Sequence, residues 1–183
     1  MATTYKDFVF KSPNEIKDLK VIEFSKFEDH RGSLFTTYLR DQFFENDIPL
    51  ELLHDKYAMN FQKGVLRGFH GDFKSWKLVT ALTGKIFQAV YDNRPNSSTY
   101  GNSYTTEIDS ENGKLVLIPP GCANGFQTLK ENTLYHYKLA YPGEYSDAED
   151  QFTLPWNSNE ININWPISKP ILSKRDENAS NQE

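Results

Sequence analysis

One cysteine, Cys122, is all that 183 residues carry, which excludes an intramolecular disulfide and any cysteine-rich metal cluster. It reads most simply as a small buried hydrophobe. The four histidines, His30, His54, His70 and His136, are scattered with no H-x-H pair, so a catalytic metal is not expected. There is no glycine-rich phosphate loop of the Walker or dinucleotide type and no nucleophile elbow, which leaves nucleotide hydrolysis and ester cleavage without a motif. A net charge of -5 with no basic block argues against nucleic-acid binding. No run approaches the ~20 apolar residues that span a bilayer, and MATTYKDFVFKS lacks the roughly 7 to 15 apolar residues of a secretory signal. A soluble, cytoplasmic protein with no membrane partner is expected. Amphipathic helical periodicity is scarce as well, and no repeat or linker divides the chain.

Aromatic residues are plentiful, with 13 Phe and 10 Tyr, a composition that suits broad sheets. About ten short runs separated by turn residues predict an all-β, antiparallel jelly roll or barrel with short helical turns and a small C-terminal segment. Residues 1–183 are expected to form one domain, with a polar, frayed tail at about 177–183. The mouth of such a barrel is the default place for a ligand.

In order, Phe8 to Phe10 and Val21 to Phe24 read as strands, FEDHRG as an exposed turn and SLFTTYL as a strand. DQFFEND reads as a helical turn capped by Asp41. From Leu53 to Phe61 the odd positions Leu53, Tyr57, Met59 and Phe61 are apolar, which predicts a half-buried strand with that face inward. Asp55 breaks the face, at a strand end or in a polar pocket. SYTTEID, SENG and KLVLIPPG read as strand, hairpin turn and strand, and TLYHYKLA puts Tyr135, Tyr137 and Leu139 opposite His136 and Lys138. Short strands are expected around Phe152 and from Ile161 to Ile163.

The segment Val65 to Asp92 holds the densest chemistry. Arg67 can grip phosphate, His70 can take a proton near neutral pH and Lys77 can stabilise an oxyanion, a set that suits carbonyl chemistry on a phosphorylated substrate. Each has a blander reading: His70 as a hydrogen-bonded core imidazole, Lys77 as a strand lysine whose stem covers Trp76, and Tyr137 as a core aromatic. In a strict pleat Arg67 and His70 point to opposite faces, so both reach one ligand only if the strand bulges, which Gly68 permits.

DHRGSLF, GVLRGFH, KLVTALTGKIFQAVYDNR with SSTYG, LIPPGCANGF and INWPISKPILSKRD, taken in this order and spacing, resemble the dTDP-4-dehydrorhamnose 3,5-epimerase family of cupin-like jelly rolls. The resemblance implies an isomerase that inverts C3, C5 or both of a nucleotide-linked 4-keto sugar without metal or nicotinamide. It implies His70 as base, Asp176 as its buried carboxylate partner, Lys77 at the enolate oxygen and Tyr137 as acid on the other face, with Tyr135 a less favoured substitute. It further implies Arg67 at the diphosphate with help from Arg31, and Arg175 within the matching LSKRD motif. A homodimer with composite sites is implied, the segment of Arg31 approaching the partner's site. Tyr141 and Tyr145 compete for the place stacked on the base.

The departures fall at Gly71 and Asp72, where the family has an aromatic and a glutamine, and at Thr36, where it has Glu. Its Gln-x-Asn base-recognition triplet falls on Asp55, Lys56 and Tyr57, and its second active-site histidine on Asn124, an amide that binds a hydroxyl but cannot exchange protons as imidazole does. HDKY, LRGFHGD and YKLAYPGEYSDAEDQF resemble a branch acting on GDP-linked 4-keto heptoses in bacterial capsule pathways. Two other readings stay open at this point: a 3,4-ketoisomerase, favoured if Tyr137 shares a substrate face with His70, and a non-catalytic nucleotide-sugar-binding jelly roll.

Overall fold

A computed structural model describes residues 7–48 and 51–180. The described residues form thirteen strands and two short helices. Six strands make one antiparallel sheet in the order β1 (Phe8–Lys11), β2 (Lys20–Phe24), β10 (Lys114–Ile118), β7 (Trp76–Thr83), β12 (Thr133–Ala140) and β5 (His54–Asn60). Five make a second, in the order β13 (Phe152–Thr153), β6 (Leu66–Gly71), β11 (Cys122–Thr128), β8 (Lys85–Asp92) and β9 (Ser103–Asp109). A separate hairpin pairs β3 (Lys26–Asp29) with β4 (Gly32–Phe35). This is the expected all-β jelly roll.

The apolar inner faces of the two sheets meet in a core that includes Val79, Val116 and Ile118 from one and Ile86, Val90 and Phe126 from the other. The outer face of the six-stranded sheet is covered where Phe43, Ile48 and Tyr38 pack on Ile22, Leu78 and Leu115. Phe43 is the buried residue of helix α1 (Arg40–Glu45). The segment from Leu154 to Trp165 covers Phe69, Ala89 and Ala123 on the outside of the five-stranded sheet. β7, flanked by β10 and β12, is buried along most of its length, which explains its nearly unbroken apolar run.

Several local expectations change. FEDHRG is not one turn, because its first half extends β3 and only the residues between Asp29 and Gly32 reverse the chain; the strand read from SLFTTYL stops at Phe35. Asp41 does not cap α1, whose N-cap is Leu39 with no side-chain hydrogen bond; Asp41 lies in the first turn. The strands flanking SENG are not a hairpin, since β9 pairs with β8 and β10 with β2 and β7, so the turn carries the chain between sheets. Ile161 to Ile163 is not a strand, although Ile161 is buried.

The largest reversal is in β5. Tyr57, Met59 and the flanking Leu53 and Phe61 are exposed, and it is Lys56, Ala58 and Asn60 that face inward. β5 is an edge strand, so the apolar face assumed to point at the core points outward. Of the expected tail, residues 177–180 belong to helix α2 (Lys174–Ser180), and residues 181–183 lie outside the described residues.

Candidate active site

A cavity of about 290 Å³ opens between the sheets at the β5–β12 and β6–β11 ends. β6 supplies Arg67 and His70, β7 supplies Lys77, and β12 supplies Tyr135 and Tyr137. Asn124 comes from β11, Lys56 from β5, Tyr145 and Gln151 from the loop after β12, and Ser173, Arg175 and Asp176 from the start of α2.

Arg67 and His70 reach the same space because β6 bulges. Opposite it, Phe126 pairs with Arg67 and Asn124 with His70, so β6 spends one more residue than β11 between those pairs. Gly68 adopts φ 128°, and a Cβ there would lie 2.6 Å from Gly125 Cα and 2.7 Å from Asn124 O, so a larger residue cannot take this path.

Asp176 is 1 % exposed, and its Oδ1 lies 2.6 Å from His70 Nε2. A carboxylate only accepts, so Nε2 carries the proton and Nδ1 is left with the lone pair. Ser173 donates to Asp176 Oδ2 at 2.9 Å and accepts from the Asp176 amide at 3.2 Å, a reciprocal arrangement at the helix start. The carboxylate that grips His70 is thus fixed by the first turn of α2. Arg175 is held in turn by Thr153 Oγ1 at 2.7 Å and Gln151 O at 2.8 Å.

On the facing wall, burial pushes the Tyr137 phenol above its ordinary value. Lys56, paired across the strands with Tyr137, donates to the Tyr145 hydroxyl at 3.1 Å. Lys77 is buried, and that burial lowers its pKa while Asp72 opposes the change. Arg67 Nε donates to Asn60 Oδ1 at 2.9 Å. Arg67, Lys56 and Arg175 give the cavity a cationic rim that suits a diphosphate.

At the cavity floor three amide and hydroxyl groups close a ring. Gln88 Nε2 donates to Asn124 Oδ1 at 2.7 Å, Asn124 Nδ2 to the Tyr135 hydroxyl at 3.4 Å, and that hydroxyl to Gln88 Oε1 at 3.1 Å. Tyr135 is fully buried and stacks on Phe126 with ring centroids 3.9 Å apart.

Other expected site residues fall elsewhere. Asp55 and Tyr57 lie on the outer face of β5, where Asp55 contacts His136 Nε2 at 3.0 Å and Lys138 Nζ at 2.8 Å and Tyr57 stacks on His136. Tyr141 lies outside the cavity, in ring contact with Tyr145, which lines it. Arg31 sits at the tip of the β3–β4 hairpin, mostly exposed and paired with Asp29 at 3.0 Å. Asp72 does not line the cavity either; its Oδ1 accepts from the Lys74 and Ser75 amides. Lys56, Ser173 and the Gln88 ring were not anticipated. The motif S-x-x-D at Ser173 to Asp176 carried a signal for the helix start, and correcting the face of β5 brings Lys56 inward.

The family profile described as dTDP-4-dehydrorhamnose 3,5-epimerase matches residues 13–183. The chain belongs to that family. A dTDP-4-dehydrorhamnose 3,5-epimerase of Sinorhizobium fredii is 35% identical over 181 residues, covering 96% of this chain and 91% of the relative. Among solved structures, the Bacillus anthracis enzyme with TDP and pyrophosphate bound superposes with a TM-score of 0.86 at 27% identity, covering 93% of this chain and 97% of that one. The Legionella pneumophila dTDP-6-deoxy-D-glucose-3,5-epimerase in complex with dTDP-4-keto-L-rhamnose gives 0.86 at 29% identity, with 94% and 92% covered. The chain is therefore a carbohydrate epimerase acting on a nucleotide-linked 4-keto sugar. Among the described residues, no helix is long and apolar enough to cross a membrane.

Proposed function

We propose that the protein inverts C3 and C5 of a nucleoside-diphosphate 4-keto sugar by proton removal at His70 and reprotonation from Tyr137. The observation that carries this reading is the placement of the two groups: His70, gripped by Asp176, lies on the five-stranded wall of the cavity, and Tyr137 lies on the six-stranded wall. The C4 ketone acidifies the hydrogens on C3 and C5, and His70 Nδ1 takes one of them. Lys77 stabilises the enolate oxygen, and Tyr137 returns a proton to the opposite face. Opposed placement favours epimerisation over 3,4-isomerisation, which needs the proton returned on one face. A site that only binds has no use for a base with its own buried carboxylate, which argues against a non-catalytic role.

Arg67, Lys56 and Arg175 hold the diphosphate, and Tyr145 rather than Tyr141 stacks on the base. The active form is a homodimer with composite sites. Its support is the exposed strip of Leu53, Tyr57, Met59 and Phe61 along an edge strand, together with exposed Phe27 and Leu34 on the hairpin that carries Arg31, which does not line the cavity of its own chain.

The named relatives point to a dTDP-linked 6-deoxyhexose. They lend no support to a GDP-linked heptose, a second reading that rests on HDKY, LRGFHGD and YKLAYPGEYSDAEDQF and on the departures at Gly71 and Asp72. Following the C3 and C5 proton signals in deuterated buffer, with dTDP- and GDP-linked 4-keto sugars supplied separately, tests both. Loss of both signals with one nucleotide identifies the substrate; loss at one carbon alone reduces the enzyme to a mono-epimerase; no loss with either, despite nucleotide binding, overturns the catalytic reading.

A further inference from the structure

We infer that Asp72 is a positioning residue for Lys77, a fixed counter-charge behind the cavity that holds the lysine as an ammonium facing the substrate. The inference deepens the role proposed for Lys77 and rests on it. Asp72 follows directly on β6, and its side chain is 4 % exposed. One carboxylate oxygen is committed to the backbone, since Oδ1 accepts from the Lys74 amide at 3.0 Å and the Ser75 amide at 2.7 Å and so shapes the turn into β7. The other, Oδ2, is buried and makes no hydrogen bond among the described residues. Its nearest charge partner is Lys77 Nζ at 3.8 Å.

A buried carboxylate oxygen without a hydrogen bond is costly unless a charge compensates it, and here the compensation is the lysine that lines the cavity. The dependence runs both ways. Lys77 is itself buried, and burial favours its neutral amine; Lys56 and Arg175 push the same way, and Asp72 is the carboxylate that opposes them. Cys122, the other group facing Lys77, has its thiol pushed up to about 12 and so brings no charge near neutral pH. A neutral amine is a far weaker partner than an ammonium for an oxygen that gains negative charge in the reaction. Asp72 thus acts on the chemistry through Lys77 without touching the substrate.

Asp72→Asn keeps the oxygen that accepts from the turn amides and removes the charge, so it separates the two jobs. Two readouts are needed on the full-length protein. The first is the pH at which Lys77 becomes half-reactive toward acetic anhydride, read by peptide mass spectrometry; in Asp72→Asn this midpoint is expected to fall by about one pH unit or more. The second is the alkaline limb of kcat for the exchange reaction, expected to fall in parallel while KM changes by less than about threefold. An unchanged Lys77 midpoint in a variant that melts like the parent overturns the inference and leaves the role of Lys77 standing. Lys77→Met separates the other failure: if it exchanges C3 and C5 protons at the parental rate, the role of Lys77 is wrong and this inference falls with it. A shifted midpoint with an unshifted kcat limb also overturns it, since Asp72 would then tune a charge the reaction does not use.

Discussion

Removing one oxygen from Tyr135 separates the two tyrosines of β12. Tyr135→Phe keeps the ring stacked on Phe126 and deletes the hydroxyl that joins Gln88 to Asn124. Gln88 is fully buried, so its Oε1 loses its donor, and Asn124 Nδ2 loses its acceptor. One such orphaned group costs about 1–3 kcal/mol. For a chain of this length, a loss of ~2 kcal/mol lowers the melting temperature by about 4–8 °C. The reaction should survive: burial pushes the Tyr135 phenol far above its ordinary value, so it is a poor proton carrier, and kcat for exchange should stay within about tenfold of the parent. Differential scanning calorimetry and the exchange assay on the same preparation check both parts. A melting temperature within about 1 °C of the parent would refute the ring as a structural element. Exchange that outpaces inversion in a folded Tyr135→Phe would instead make Tyr135 the acid and displace Tyr137.

Ser173→Ala removes the hydroxyl that orients Asp176 and should cost about 1 kcal/mol of stability, as loss of a helix cap does, with a larger fall in kcat than in substrate affinity; Ser173→Thr should restore both. Isothermal titration with the nucleoside diphosphate alongside turnover reads the split. Asp92, fully buried, tests acid stability. Burial alone would raise its pKa, but hydrogen bonds from Arg94, Thr99 and Ser97 hold the carboxyl well below the usual carboxylate range. Its folded pKa is depressed, so its contribution is complete above the unfolded value of about 4 and is lost as pH falls below it. Asp92→Asn leaves Arg94 without its buried partner, and the cost should approach about 3–5 kcal/mol at neutral pH. Melting curves of parent and variant should converge as pH is lowered from about 5 to 2.

Much of this site was legible before the fold was known, because its key groups lie where glycines and short apolar runs mark the strands. The bulge that lets Arg67 and His70 share a cavity was foreseeable from Gly68, since two side chains three residues apart otherwise point to opposite faces. Asp176 beside His70 followed from the family resemblance and not from local sequence, which marks LSKRD only as a polar stretch near the end of the chain. Ser173 shows why: S-x-x-D announces a helix start, but a seven-residue helix is too short to show periodicity. β5 was misread for a different reason. Alternation tells which residues share a face but not which face is covered, and an edge strand can carry its apolar residues outward. That single inversion misplaced Asp55 and Tyr57 and hid Lys56. Hydrogen bonds across strands, such as the ring of Gln88, Asn124 and Tyr135, depend on register between distant segments and leave no local trace.

The central claim is that one wall of the cavity removes the proton and the other returns it. It is tested most directly by deuterium incorporation at C3 and C5, together with product configuration, in His70→Asn and Tyr137→Phe. The account predicts no incorporation at either carbon in His70→Asn with nucleotide binding intact, and in Tyr137→Phe incorporation that outpaces inversion. Near-parental turnover in His70→Asn, or an equally complete loss of exchange in both variants, would contradict it.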